Sequence, residues 1–525
     1  MIGEEVVEAE LLGVKASNST YGHRFHAPAE FTLRHANDYP DVLAQNGYVI
    51  ADFDVRRNRV KEATHECAAQ HGAVAIIDDS LLDEVTALVE WPAPICGTYD
   101  EHFLELPREV LIASMQDHQK YFPLENDDGQ LVNKFITIAN IDSREPDAIR
   151  AGNERVIRPR LSDAKFFWDQ DLKTSLDDKK RRLGTIIFEK QLGTLLEKTT
   201  RVAELATRFA DNFGAKQDAV ARAAELSRAD LVSEMVGEFP ELQGVMAGYY
   251  AKHAGETEAV QSALSDFYRP RFAGDAIPTE PVAQCVAVAD RLDTLVGIFA
   301  IGSAPTGDKD PYALRRAALG ALRIMIEGES SLDLATALES AATLISDKLN
   351  KEVGYTEVMG FMLDRLRSYY LDKGMTHSTI NAVLNLSPTI PFDIHRRVHA
   401  VVEFSELPAA TDLAAANKRT SNILRKAEIS ANTASMDPAL LVDEAEKQLA
   451  TALASIEQQA NDLFAEGDYA EHLKVLAGLK DPINAFFDEV MVMSEDEKLR
   501  TNRLALLSKI RQQFSQVADI AALSE

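Results

Sequence analysis

Up to about residue 145 the apolar positions fall in short runs; beyond it they recur at three- and four-residue spacing almost to Glu525. In the first stretch "YVIADF" (Tyr48–Phe53) and "KFITIANI" (Lys134–Ile141) are β-branched or aromatic runs bounded by Gly, Asn and Asp, which predicts strands. Helical stretches such as Val55–His71 lie between them. In the second stretch "LEKTTRVAELATRFADNF" (Leu196–Phe213) has the spacing of an amphipathic helix. Pro-containing loops break the helical pattern at Arg269–Pro281, Ile301–Pro311 and Leu386–Asp393. A composition change at "LPAATDL" (Leu407–Leu413) predicts a last boundary. The expected organisation is therefore mainly α and multidomain: an α/β portion over 1–146, a helical region over 147–406, and a final helical domain over 407–525. No internal repeat at solenoid periods is present.

At 525 residues the chain exceeds what one hydrophobic core supports, and its 46% hydrophobic and 26% charged content is that of a soluble globular protein. No apolar run approaches the ~20 residues a membrane span needs. The opening "IGEEVVEAELLG" has neither the basic start nor the apolar stretch of a signal peptide. Cys67, Cys96 and Cys285 are far apart and form no CxxC pair, which predicts reduced structural thiols and a cytoplasmic protein. A net charge of −28 argues against indiscriminate binding of nucleic acid, because the long-range field repels phosphate. It leaves room for a specific RNA partner held at local basic islands. Three such islands stand out: Arg150–Lys165, "KKRR" at Lys179–Arg182, and "NKRTSNILRK" at Asn417–Lys426.

Within Ala223–Gly244, Asp230, Glu234 and Glu238 recur every fourth residue and would stack on one face of a continuous helix. Paired acids in a helical protein suggest the HD phosphohydrolases, with Asp230 and the Asp290 of "VADRLDTL" as the two carboxylate ligands. The imidazoles are missing: between Thr199 and Asp310 the one histidine is His253, which is not adjacent to Asp230. Without nitrogen ligands and the His-Asp pair that orients them, a catalytic cation is not held. The stripe is read as a mostly solvated face of an HD-like helical fold lacking its metal centre. GxxxxGK[ST], GxSxG and HExxH are all absent. The spacing of His23 and His26 in "GHRFH" is read as surface hydrogen bonding. In "MQDHQKYFPL" (Met115–Leu124), Asp117 and His118 would point to opposite faces of a strand, and no nucleophile accompanies them.

Six segments, taken together, resemble one family, the β subunit of the bacterial tetrameric glycyl-tRNA synthetase. They are "ELLGVKASNSTYGHRFHAP", "MQDHQKYFPL", "NERVIRPRLSDAKFFWDQD", "ADLVSEMVGEFPELQGVMAGYYA", "ADRLDTLVGIFAIGSAPTGDKDPYALRRAALG" and "FFDEVMVMSEDEKLRTNRLALL", in order over nearly the whole chain. Members of that family usually begin with a further N-terminal region ahead of "ELLGVKA". The resemblance implies a tRNA-synthetase accessory domain at the N-terminus, a degenerate HD-like scaffold, and a subunit that binds tRNA(Gly). It also implies a separate α subunit holding glycine and ATP with Mg, in an α2β2 tetramer. No cofactor, metal or catalytic residue is then expected on this chain. Other classes consistent with the residues are an HD-type metal-dependent phosphohydrolase and a non-catalytic RNA-binding scaffold.

The C-terminal domain is similar to the helical anticodon-binding domain of arginyl-tRNA synthetase. Its "NKRTSNILRK" sets Lys418, Asn422 and Arg425 near one another on a helix, at three- and four-residue spacing. With Arg419 and Lys426 they make a surface on which cations would meet phosphates and Asn422 a base edge. The plainer alternative is a helix whose cations face water. Asn502 and Arg503 are read as further surface candidates, and Phe486 and Phe487 as core. In "DPYALRRAALG", Pro311 fits a helix start capped by Asp310. That places Arg315 and Arg316 in an early turn, for phosphate contact or for pairing with the abundant acids.

Overall fold

The strand predicted at Tyr48–Phe53 does not form, whereas the one at Lys134–Ile141 does, as part of Leu131–Ala139. The Asp52 carboxylate accepts the Val55 N–H at 2.9 Å and caps helix Phe53–Gln70, so the end of the apolar run is drawn into a helix. The computed structural model describes residues 1–427 and 436–524. They fall into two compact units: Met1–Lys179 with Ala229–Ala254, and Lys180–Arg228 with Gly255–Glu525. These units do not follow the segment boundaries expected at 146 and 406. Helix Pro146–Asp171 lies with the N-terminal sheet, and the C-terminal helices share a unit with the middle of the chain.

The first unit is built on a four-stranded antiparallel sheet in the order Val74–Ala75, Phe122–Glu125, Leu131–Ala139, Ala93–Thr98. Side chains alternate between its faces. Ile136 packs with Val60, Leu82, Val85 and Phe122 in a core beneath helices Phe53–Gln70 and Asp79–Leu88. Phe135 stacks on Tyr121 at 4.6 Å, and the Tyr121 hydroxyl donates to Asn153 of helix Pro146–Asp171 at 2.7 Å. A Cβ on Gly97, paired opposite Phe135, would lie 2.5 Å from that ring, so only glycine fits there. "MQDHQKYFPL" divides between two elements. Helix Arg108–Gln119 ends on Lys120 in a left-handed conformation, and the strand begins at Phe122. His118 is therefore helical and stacks on Phe239 at 5.2 Å. His23 is buried and not at the surface, with Nε2 2.7 Å from the Asn140 carbonyl oxygen.

The second unit is helical. Its centre is helix Pro281–Ala300, buried along most of its length and packed by Leu195–Phe209, Gln217–Leu226, Leu314–Glu327 and Leu334–Leu349. Helices from Ala410–Lys426 to Glu497–Ser515 complete it. The molecule is thus mainly α with an N-terminal α/β portion. All three cysteines are free and buried. Among the described residues no helix is long and apolar enough to cross a membrane.

Candidate nucleic-acid interface

Helix Ala410–Lys426 buries Ala410, Leu413, Ala414, Asn417, Thr420 and Leu424, a stripe at three- and four-residue spacing. The opposite side presents Lys418, Arg419, Asn422, Arg425 and Lys426, all exposed. Four of these five, Lys418, Arg419, Asn422 and Lys426, line a shallow groove of about 620 Å³ that Ala415, Ile423 and Ser524 complete. Arg425 lies outside its lining and donates to Asn422 at 3.0 Å, which fixes the amide that could read a base edge. The Arg419 guanidinium sits over Phe487, 4.4 Å from the ring centroid. Phe486 and Phe487 are buried, and the second of them positions this arginine. Among the described residues Lys418 and Lys426 make no ion pair with a carboxylate. Cations that pair with no carboxylate among the described residues can neutralise phosphates.

Asn502 and Arg503 are not surface residues. Both are buried on helix Glu497–Ser515, where Asn502 to Ser508 are buried without a break. Arg503 pairs through Nε with Glu446 and through Nη2 with Asp443 at 2.7 Å, and Nη1 donates to the Met491 carbonyl at 2.8 Å. Asn502 exchanges hydrogen bonds with the Asp437 backbone at 2.7 and 3.1 Å. A buried arginine paired with two carboxylates holds helices together and is not presented to RNA.

The helix carrying Arg315 and Arg316 starts at Leu314, three residues later than the Pro311 start expected from sequence. Asp310 still does the capping: its carboxylate accepts the Leu314 and Arg315 N–H groups at 2.8 and 3.0 Å. Arg315 donates to the Gly307 carbonyl and Arg316 to the Arg271 carbonyl at 3.1 Å. The pairing with acids does not occur; neither guanidinium bonds a carboxylate among the described residues. The "KKRR" island is smaller than it reads, because Lys179 is buried and donates to the Asp171 and Thr174 carbonyls.

The carboxylate stripe is broken. Ala229–Val232 is a 3₁₀ turn, Ser233 caps the short helix Glu234–Glu238, and the expected single face is lost. Asp230 is fully buried in the first unit and accepts the Gly244 N–H at 2.6 Å, whereas Glu234 and Glu238 are exposed. Asp290 belongs to the second unit. Arg228 Nη2 reaches both its oxygens at 2.6 and 2.7 Å, and Lys198 Nζ is 3.2 Å away. Lys198, with no exposed surface, also bonds Asp293 at 3.0 Å and Thr294 at 2.8 Å, and Arg201 pairs with Asp293 at 2.6 Å. Burial alone would raise the Asp290 carboxyl, but the neighbouring Arg228 and Lys198 charges outweigh it and hold the group well below the usual carboxylate range. The charge a metal would supply to Asp290 comes from side chains. Sequence reasoning missed these buried cations; their partners are 62 to 95 residues away, so no local spacing announces them.

The glycyl-tRNA synthetase beta subunit family matches residues 1–385, and the DALR anticodon binding domain matches residues 413–523. The glycine–tRNA ligase beta subunit of Aeromonas hydrophila subsp. hydrophila is 49% identical over 523 residues, covering 100% of this chain and 76% of that protein. The glycine–tRNA ligase beta subunit of Pseudoalteromonas translucida is 47% identical over 525 residues, with the same coverage. That of Colwellia psychrerythraea is 47% identical over 523 residues. The chain spans about three quarters of the length of each of these relatives.

Proposed function

Because the chain belongs to the glycyl-tRNA synthetase beta subunit family, we propose that it is the tRNA-binding half of a glycine–tRNA ligase. In this reading it holds tRNA(Gly) for a separate α subunit, which joins glycine to it at the expense of ATP. The observation that carries it is the groove on helix Ala410–Lys426, where exposed cations flank an amide within a domain matched to anticodon binding. Lys418, Arg419 and Lys426 meet phosphates there and Asn422 reads a base edge. Arg315 and Arg316 provide a second anionic contact, toward the acceptor side of the tRNA. ATP with Mg belongs to the α subunit, the assembly is α2β2, and the compartment is the cytoplasm.

The phosphohydrolase alternative is not favoured by any observation, since Arg228 and Lys198 occupy the carboxylate its metal would need. The division of labour is tested by glycine-dependent pyrophosphate exchange. The purified chain should give none, while tRNA(Gly) should bind it directly. Robust exchange without an α subunit would overturn the proposal.

A further inference from the structure

In the second unit, loop Arg269–Pro281 and helices Leu314–Glu327 and Thr356–Asp372 enclose a cavity of about 580 Å³, within the roughly 300–1,000 Å³ of small-ligand sites. Its lining carries five cations, Arg315, Arg316, Arg323, Arg365 and Lys373, against two carboxylates, Glu327 and Asp372. Glu327 is taken by Arg323, which binds it through two nitrogens at 2.7 and 3.1 Å. Arg315 and Arg316 spend donors on backbone carbonyls, which orients them but leaves their charge in place. Arg365 is the most telling. Its guanidinium lines the cavity over Phe361, 5.8 Å from the ring centroid, and pairs with no carboxylate among the described residues, so its charge is left for an anion in the cavity. The cavity is therefore a local positive field in a chain of net charge −28.

Charge alone does not describe the lining. Phe272, with 64% of its surface exposed, stands on the loop at one side. Tyr369 lies on the opposite helix with Lys373 over its ring at 4.6 Å. The loop is held in place from behind. Buried Arg291 donates to the Phe267, Tyr268 and Arg269 carbonyls at 3.2, 2.9 and 2.7 Å, and burial pushes its guanidinium down to about 10. Gly320 makes room for it: a Cβ there would lie 2.9 Å from Arg291 Nε. The wall that presents Phe272 is thus supported by packed backbone contacts.

An anion flanked by a flat apolar ring satisfies this lining, and the ligand class that joins the two is a nucleotide. A divalent cation is repelled, and a simple carboxylate would leave both aromatic rings unused. We propose that the cavity takes one unpaired nucleotide, its phosphate against Arg365 and Arg316 and its base against Phe272. As a subsite for an RNA strand it rests on the tRNA-binding reading above; the same chemistry would also accept a free mononucleotide.

The test uses a fluorescein-labelled single-stranded RNA tetranucleotide with a 5′ phosphate, a short blunt RNA duplex and intact tRNA(Gly), each titrated into wild type, Arg365→Gln and Phe272→Ala. The tetranucleotide should lose about fivefold to a hundredfold in affinity in Phe272→Ala, the size of one base–aromatic stack. It should also weaken in Arg365→Gln, while the duplex should be indifferent to Phe272. Because Phe272 is exposed, its removal leaves folding intact, and melting curves check both variants. Displacement of the tetranucleotide by AMP identifies a free nucleotide as the occupant, and lack of displacement identifies an RNA strand. Equal tetranucleotide affinity in all three proteins overturns the subsite while tRNA(Gly) binding stands; wild type that fails to bind tRNA(Gly) overturns the function on which it rests.

Discussion

Changing Lys418 and Lys426 together to Gln should make tRNA(Gly) binding less sensitive to salt without unfolding the C-terminal helices. Both residues are exposed, line the same groove and make no ion pair among the described residues, so their charges do not hold the fold together. Gln is nearly as good a helix former as Lys. Lys426 sits in the last turn of its helix, where a cation complements the dipole, so its loss costs about 0.3–1 kcal/mol. Each phosphate contact contributes about 0.7 (single strand) to 0.9 (duplex) to the slope of log K against log salt. Two lost contacts therefore flatten the slope by about 1.4–1.8. Between about 50 and 200 mM salt, wild type should lose about sevenfold to twelvefold more affinity than the variant. The assay is fluorescence anisotropy of labelled tRNA(Gly) across a salt series, with thermal melting alongside. Arg425→Gln, which removes a cation outside the groove lining, should change the slope less. An unchanged slope in the double variant at unchanged melting temperature would refute the assignment of this helix to RNA.

Arg503→Met should lower the melting temperature, because it strands the buried Glu446 carboxylate; removal of one partner of a buried pair costs about 3–5 kcal/mol. Weaker tRNA binding at unchanged melting would contradict its burial, and adding Glu446→Gln should restore part of the loss. Lys198→Met should cost a similar amount by leaving Asp293 and Asp290 short of a counter-charge, with partial recovery on adding Asp293→Asn. Acid should destabilise the protein through His395. Burial, with His399 and Lys373 nearby, pushes that imidazole from 6.5 down to about 4. Between those values the unfolded chain binds a proton that the folded chain does not, so stability is full above pH 6.5 and falls as pH drops toward 4. His395→Gln should flatten melting temperature against pH in that window; superimposable pH profiles would exclude His395 as the cause.

What was legible in the sequence was whatever depends on local spacing. The helix through Asn417–Lys426 and its exposed cations followed from three- and four-residue periodicity, and the break at Arg269–Pro281 followed from its prolines. Illegible features had distant causes. The Asp230–Glu238 stripe failed because Ser233 caps a new helix between its first and second acids. Asn502 and Arg503 looked solvated because polar residues usually are, yet their helix is buried on every side at that point and 3.6-residue periodicity carries no signal there. The cavity beneath Phe272 draws its cations from Arg315–Arg323 and Arg365–Lys373, more than forty residues apart in sequence, so no motif scan assembles it. Family resemblance supplied what spacing could not, and burial then separated the structural cations from the available ones.

That separation has a consequence for ionic strength. Lys198, Arg201, Arg228 and Arg503 are largely enclosed with Asp290, Asp293 and Glu446, at distances where mobile ions cannot interpose. Lys418, Lys426, Arg315 and Arg316 border open concavities, and their side chains bond no carboxylate among the described residues. Screening acts over a Debye length of about 10 Å at 0.1 M and about 3 Å at 1 M, and it affects buried pairs far less than exposed charges. Raising salt should therefore act on the two sets differently. From about 0.1 to 0.5 M, tRNA(Gly) affinity should fall by about tenfold or more if even two or three phosphates are contacted. Self-repulsion from the −28 net charge is relieved over the same range, so the melting temperature should hold or rise slightly. A melting temperature that fell in parallel with affinity would mean that exposed ion pairs, and not the buried clusters, carry the electrostatic stability of this fold.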